Sequence, residues 1–472
     1  MTSTRASIHE WAESEYGSAR LGHKRRTDRL VAVAAALATK PQGTLAGAFP
    51  AWAEAKGAYR LLENEAVTFE GVFDPHRQRV RQACRQPGEY LMVEDTTALD
   101  FTSHLAARDL GRIGDGGGRG LYAHSTLAMR VERWTAQHEP EVTVEGLFDL
   151  HWWARTGPSP GSAHEAKRKR LNRPRESQRW ARVCVEVPAP AQARWTLLAD
   201  REGDIYEVFQ RCEEGGWEFI VRASQPRALA DEAASVFEAV AQSPELGRFS
   251  IDLRARPGQS ARQAVLAVRA RTVTLRAPWR PGGTPPTIAL NVVEAREVDA
   301  PHGCAPIHWV LLTDWPCERF EEAMRVVKAY TRRWLIEEYH MVLKSGTGIE
   351  DSQLETAQRI TSLLGILSVV AVRLLNLRQL ARTRPDDRPD PLELGPEALV
   401  VLEMTYGQPP GGWTYETAVR CIARLGGFLA RKSDGAPGCK TLWRGLDKLM
   451  WMIQGYELAR SVLGNDKGEA LG

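Results

Sequence analysis

The residues best suited to chemistry in this chain are acids and bases at short, regular spacings. In "AYTRRWLIEEYHMVLKSG", residues 329–346, stand Tyr330, Arg333, Glu337 and Lys344. On an α-helix turning about 100° per residue, these four fall within a ~60° arc. A phenol, a guanidinium, a carboxylate and an ammonium then share one stripe, which suits a phosphate-bearing ligand and equally suits a solvated face laced with ion pairs. Two further acids follow short apolar runs, Asp95 after "LMVE" and Asp200 after "TLLA". Ligand sites in open α/β sheets lie at the carboxyl ends of strands. Two aspartates at such ends and a glutamate on a later helix meet the needs of two-metal phosphoryl transfer. Hard cations take carboxylate oxygens, and a pair ~4 Å apart stabilises both the entering and the leaving oxygen at phosphorus.

Other acids compete for the role. Glu94, Asp100, Asp204, Asp314 and Glu338 stand near the same elements. The pleat favours Asp95 over Glu94, whose side chain faces the other side of the sheet, and Glu338 lies ~100° off the stripe. Asp314 also ends an apolar run, "WVLLTD", and spacing alone leaves it open. The glycine-rich "GDGGGRG" at 114–120 lacks the Lys-Ser/Thr of a phosphate loop and reads as a turn between strands. His302, Cys304 and His308 have no fourth ligand nearby, which argues against zinc.

The elements that must position these groups fall into three parts, as a length of 472 residues suggests. Residues 1–70 read as helical, with "RRTDRLVAVAAALATKPQG" stopping at Pro41 and Gly43. Residues 71–375 read as an α/β layer of three strands, a helix, a strand, a helix and a strand. An antiparallel β-insertion at about 225–317 interrupts it. Residues 376–472 are helical again. The fold class expected is therefore α/β, with helical domains at both ends. Sixty-two basic and 59 acidic residues nearly cancel to +3, but the bases are clustered. Arg20, Lys24, Arg25, Arg26 and Arg29 face only Asp28, and "KRKRLNRPR" at 167–175 has no acid. Such clusters suggest a polyanion touched at several places, although each alone suits a solvated face. Seven scattered cysteines without a CxxC pair fit a reducing cytosol. No run of about 18 apolar residues and no apolar signal core at the N-terminus are found, which predicts a soluble intracellular protein.

Taken in order, these motifs resemble the DDE transposases of bacterial insertion sequences, in the branch marked by Tyr-x2-Arg-x3-Glu-x6-Lys. "LGHKRRTDRLVAVAAALA" and "GAYRLLEN" resemble that family's N-terminal DNA-binding region. "VEDTTALDF" holds Asp95, "GRGLYAHS" follows, "DREGDIYE" holds Asp200, and "YTRRWLIEEYHMVLKSG" fulfils the four-residue motif. "IARLGGF" resembles the dimerisation region. The resemblance implies a ribonuclease-H-like core with Asp95, Asp200 and Glu337 as catalytic metal ligands for two Mg²⁺ ions, Mn²⁺ substituting. It implies DNA contacts by Arg25, Arg26, Arg29, Tyr59, Arg60, Arg222, Tyr330, Arg333 and Lys344, with Trp309 receiving a flipped base; by default a tryptophan inside "HWVLL" is a core residue. It removes any need for an acid at 314 and explains by the β-insertion why Glu337 stands 137 residues after Asp200. The implied reaction is cut-and-paste transposition: nicking, hairpin closure and opening, and joining of the 3′-OH to target DNA. The implied partners are transposon-end and target DNA in a homodimeric synaptic complex, without a membrane, in the cytoplasm or on the nucleoid. Two other readings stay open, an end-binding inhibitor or regulator of the same fold, and a carboxylate-pair glycoside hydrolase.

Overall fold

Residues 88–100 carry an uninterrupted apolar run, "YLMV" at 90–93, as a strand buried on both faces must. In the computed structural model this is β1, Gly88–Asp100, near the middle of a ten-stranded sheet. The structure describes residues 4–40, 44–49, 51–155, 176–253, 261–279, 286–431 and 434–469. The basic run at 167–175 lies outside these.

Four helices come first: α1 (Thr4–Tyr16), α2 (Lys24–Thr39), α3 (Trp52–Glu63) and α4 (Phe69–Cys84). After β1 come β2 (Gly111–Ile113), β3 (Gly118–Trp134), β4 (Pro140–Trp153), α5 (Arg182–Glu186), β5 (Ala193–Ala199), α6 (Tyr206–Gly215), β6 (Glu218–Arg222) and α7 (Val236–Ala241). The antiparallel strands β7 (Glu245–Leu253), β8 (Arg262–Leu275), β9 (Ile288–Val298) and β10 (His308–Thr313) follow. The chain closes with α8 (Phe320–Thr331), α9 (Trp334–Met341), α10 (Ala357–Thr383), α11 (Pro396–Tyr406), α12 (Tyr415–Leu425) and α13 (Cys439–Glu469).

The strand order is β2-β3-β1-β5-β6-β10-β9-β8-β7, with β4 also on β3. Only β1–β5 and β5–β6 are parallel. Because β10 pairs antiparallel with β6, the strands expected as an interruption at 225–317 extend the same sheet. The glycine-rich stretch forms the turn between β2 and β3.

One face of the sheet packs on α8, α9, α10 and the N-terminal helices, while α5, α6 and α7 cover the other. The center of the first layer is α10. By length and composition it could cross a membrane, although arginines interrupt its apolar run, yet 89% of its most apolar stretch is buried. It is apolar on all sides because it is surrounded, touching α2, α3, α4, β4 and α12. Both boundaries suggested by composition, 70/71 and 375/376, fall inside continuous helices, α4 and α10.

Candidate active site

Strand register builds the first half of the site. In the parallel β1–β5 pair Val93 stands opposite Leu198, and both side chains enter the same core. Two residues on, the period of the strand brings Asp95 level with Asp200 on that same face. Asp200 is at the end of its strand, where its Oδ1 accepts the Glu202 N–H at 2.8 Å and caps a short 3₁₀ turn, Arg201–Gly203. Asp95 is not at a strand end, contrary to expectation. β1 runs on to Asp100 because β3 continues to pair with it after β5 has stopped. Asp95 Oδ1 accepts the N–H of Thr96 at 2.8 Å.

The second half comes from the segment with the polar stripe, which is not one helix. Thr331 returns its hydroxyl to the Lys328 carbonyl at 2.6 Å, a back-bond that bends helices, and α8 ends there. A tight turn follows, with Arg333 N–H on Tyr330 O at 3.0 Å, before α9 starts at Trp334. Beyond α9, Val342–Gly346 form a π turn, a feature frequent at functional sites.

Arg333 donates to the Glu337 carboxylate, and its guanidinium lies 5.9 Å from the Tyr330 ring center. The Arg222 guanidinium, which donates to the His308 carbonyl at 3.0 Å, also lies close to the Tyr330 side chain. Trp309 stands half-buried against Tyr330, ring centers 6.1 Å apart at 64°. Lys344 lies further along, donating to the Ala98 carbonyl at 2.9 Å and standing 3.1 Å from Glu350. Tyr330, Arg333, Glu337, Arg222 and Trp309 thus gather near the two aspartates, whereas Lys344 is committed to the end of β1.

The three carboxylates feel one another. Burial pushes the Asp95 carboxyl up to about 6, with the charges of Asp200 and Glu337 adding to it and the Thr96 amide and Arg333 opposing. Keeping Asp95 ionised at neutral pH therefore costs on the order of 3 kcal/mol. Positive charge close to the carboxylate would offset that cost. Among the described residues no three His, Cys, Asp or Glu side chains converge tightly enough to close a metal site as they stand, and Arg333 holds Glu337. The donor set is nevertheless all oxygen, as hard cations require.

His340, one turn after Glu337, went unnoticed in the sequence. Its Nδ1 lies 3.7 Å from Asp95 Oδ2 and its Nε2 3.2 Å from Ser125 Oγ. Burial pushes the imidazole down to about 3, so it stands neutral beside Asp95 and makes no ion pair with it. Its spacing from Glu337 was the available signal.

The competing acids are elsewhere. Glu94 points to the reverse face and Glu338 pairs with Arg378. Asp204 holds Arg227 and Ser224, and Asp100 holds Thr102. Asp314 ends β10, which runs antiparallel to β6, so it lies at the opposite end of the sheet. His308 is taken by Glu294 at 2.8 Å. The N-terminal candidates lie apart from the carboxylates on α2 and α3. Arg25, Arg29 and Arg60 are exposed, Arg26 donates to the Leu21 carbonyl at 2.8 Å, and Tyr59 is half-buried.

Comparison with known proteins places both ends of the chain. Residues 8–67 match the family described as Transposase DNA-binding, and residues 369–465 match the Transposase Tn5 dimerisation domain. Among solved structures, the piggyBac transposase synaptic complex with hairpin DNA aligns over 96% of this chain and 79% of its own, at 10% identity and a TM-score of 0.34. At that level the two chains share too little for one to stand in for the other. With a transposase DNA-binding domain before the sheet and a Tn5 dimerisation domain after it, the two ends of the chain support a Tn5-type transposase.

Proposed function

We propose that this chain is a metal-dependent DDE transposase that cuts and joins DNA by phosphoryl transfer at Asp95, Asp200 and Glu337. The observation carrying this reading is the β1–β5 register, which sets two aspartates level on one face with Glu337 close enough to raise the Asp95 carboxyl. A ribonuclease-H-like core is supported by three antiparallel strands, β4-β3-β1, continued by parallel β5 and β6. Asp95, Asp200 and Glu337 would hold Mg²⁺ or Mn²⁺, the cations supplying charge stabilisation of the entering and leaving oxygens. Glu337 would then share its carboxylate with Arg333 or release it. Released, Arg333 with Arg222 and Tyr330 offers donors to DNA phosphates, which position without reading sequence. Arg25, Arg26, Arg29, Tyr59 and Arg60 lie within the DNA-binding domain and would grip the transposon end.

The finer course we propose is cut-and-paste transposition, with nicking, hairpin formation and opening, and transfer to target DNA within a homodimeric synapse in the bacterial cytoplasm, a reading that the DNA-binding and dimerisation domains support. An end-binding regulator without cleavage is disfavoured by the complete set of three acids. A glycoside hydrolase is disfavoured by Arg222 and Arg333 at the carboxylates.

Asp95→Ala, Asp200→Ala or Glu337→Ala is expected to abolish strand cleavage with added Mg²⁺ while leaving transposon-end binding intact in a mobility shift. Full cleavage by one variant would remove that residue from the site, and cleavage by the wild type in EDTA would sink the metal-dependent reading.

A further inference from the structure

Directly behind Asp95, the reverse face of the β1–β3 pair holds a buried polar chain that phosphoryl transfer as described does not use. Glu94, fully buried, accepts from Thr126 Oγ1 at 3.0 Å and has His124 Nε2 at 3.3 Å. The other ring nitrogen of His124, Nδ1, lies 2.8 Å from Thr96 Oγ1. Thr96 in turn gives its backbone N–H to the Asp95 carboxylate. Register explains the grouping: Glu94 faces Thr126 and Thr96 faces His124 across the pair, so all four side chains share the face that Asp95 does not.

A carboxylate and an imidazole buried this deeply cost free energy unless their partners are matched, and an apolar pair would pack as well. Their placement one residue from Asp95 gives them a use. The His124 ring also meets Trp180 edge-on, ring centers 4.9 Å apart at 74°. Trp180 is buried, and its ring packs on Gly203, where an added Cβ would come 3.3 Å from the indole and 2.5 Å from the Ala199 Cβ. Gly203 closes the turn that Asp200 caps. One indole therefore leans on the backing of Asp95 and on the turn of Asp200.

We propose that Glu94, Thr96, His124 and Trp180 are positioning residues that fix the Asp95 carboxylate and its separation from Asp200. The inference rests on the phosphoryl-transfer reading above. By holding the Thr96 side chain, the Glu94–His124 pair anchors the residue whose backbone N–H holds the Asp95 carboxylate. Partners of this kind behind a ligating group are commonly worth about 10–100-fold in metal affinity or activity.

The test uses the full-length protein and Mn²⁺ as the probe. Thr96→Val keeps the shape and branching of the side chain but removes its hydroxyl, Thr96→Ser restores the hydroxyl, and Glu94→Gln changes the far end of the chain. Mn²⁺ affinity by calorimetry, Tm, and kcat and KM for cleavage of end DNA are measured for each. Thr96→Val and Glu94→Gln are expected to bind Mn²⁺ about 10–100-fold more weakly, with kcat reduced and KM for DNA unchanged, and Thr96→Ser to recover most of the loss. A lower Tm with Mn²⁺ affinity and kcat like the wild type would overturn the inference by showing a purely structural role. If Glu94→Gln fails to fold, the Thr96 pair decides. Wild-type protein without Mn²⁺ binding that depends on Asp95 and Asp200 would instead bring down the metal reading, and this inference with it.

Discussion

Asp95 and Asp314 look alike as residues, each an aspartate following an apolar run. Their chemistry does not separate them either. Packing pushes Asp95 up to about 6 and Asp314 up to about 7, although Asp314 keeps an exposed outer side. What separates them is strand direction, which puts Asp314 at the wrong end of the sheet, accepting the Phe219 N–H at 2.9 Å. Trp309 shows the same dependence on surroundings. Its half-buried ring belongs partly to the core and partly to the site, where it meets Tyr330. Hairpin closure requires a sharply bent duplex, and stacking an extruded base on an aromatic platform recovers ~1–3 kcal/mol. Trp309→Ala is expected to remain folded, losing about 1–2 kcal/mol because only part of the ring is buried. It should nick the first strand at near-normal rate and accumulate nicked DNA without hairpin on a denaturing gel. Normal hairpin yield would place the platform elsewhere.

Among the elements, the α8–α9 break and the π turn replace the single straight helix that the stripe implies. The wide turn brings Gly346 against the Trp443 ring, so the site segment rests on the C-terminal helices. Those helices approach very closely themselves. A Cβ at Gly445 of α13 would stand 1.8 Å from the Ile422 carbonyl, and one at Gly426, just after α12, 1.8 Å from the Thr441 carbonyl. Such contacts involve backbone, which cannot swing aside. Gly445→Ala is therefore expected to force α12 and α13 apart at a cost of about 1–3 kcal/mol. The lower Tm should be accompanied by a weakened dimer in light scattering, since both helices lie in the dimerisation domain. An unchanged Tm would mean that the two helices do not pack this closely.

For the whole molecule, the DNA-binding helices are docked on the core. The Tyr16 hydroxyl donates to the Ile366 carbonyl of α10 at 3.1 Å, and the Ser362 hydroxyl to the Val67 carbonyl at 2.8 Å. His76 of α4 is 2.6 Å from Glu15 of α1 through Nδ1, while its Nε2 accepts the Leu147 N–H at 3.0 Å, joining α1, α4 and β4. Burial opposes a charged Glu15, but His76 and Arg79 outweigh it and hold the carboxyl down at about 2. A folded-state pKa below the unfolded one gives stability that is present above pH ~4.5 and lost as pH falls toward about 2. Glu15→Gln should thus lower stability at pH 7 on the order of 2 kcal/mol, with the gap to wild type narrowing as pH drops below ~4.5. Urea unfolding at pH 7, 4.5 and 3.5 would measure it, and a constant gap would contradict the linkage.

The sequence by itself determined the identity of the chemical groups and their local settings. Apolar runs forced β1 and β5, the period of two turned Asp95 away from Glu94, and the ordered motifs pointed to the transposases that the DNA-binding and dimerisation domains then supported. Only the tertiary structure decided which groups meet. Strand pairing is a long-range contact with no local signal, so the level placement of Asp95 with Asp200, the exclusion of Asp314, and the continuation of the sheet through β10 could not be read from spacing. The helix break at Thr331 and the commitment of Lys344 to Ala98 and Glu350 likewise depend on backbone and on partners distant in the chain. Thr96 and His124 were invisible for the same reason. A polar residue shows its role only when folding has buried it and chosen its neighbours, because burial is what makes its hydrogen bonds matter.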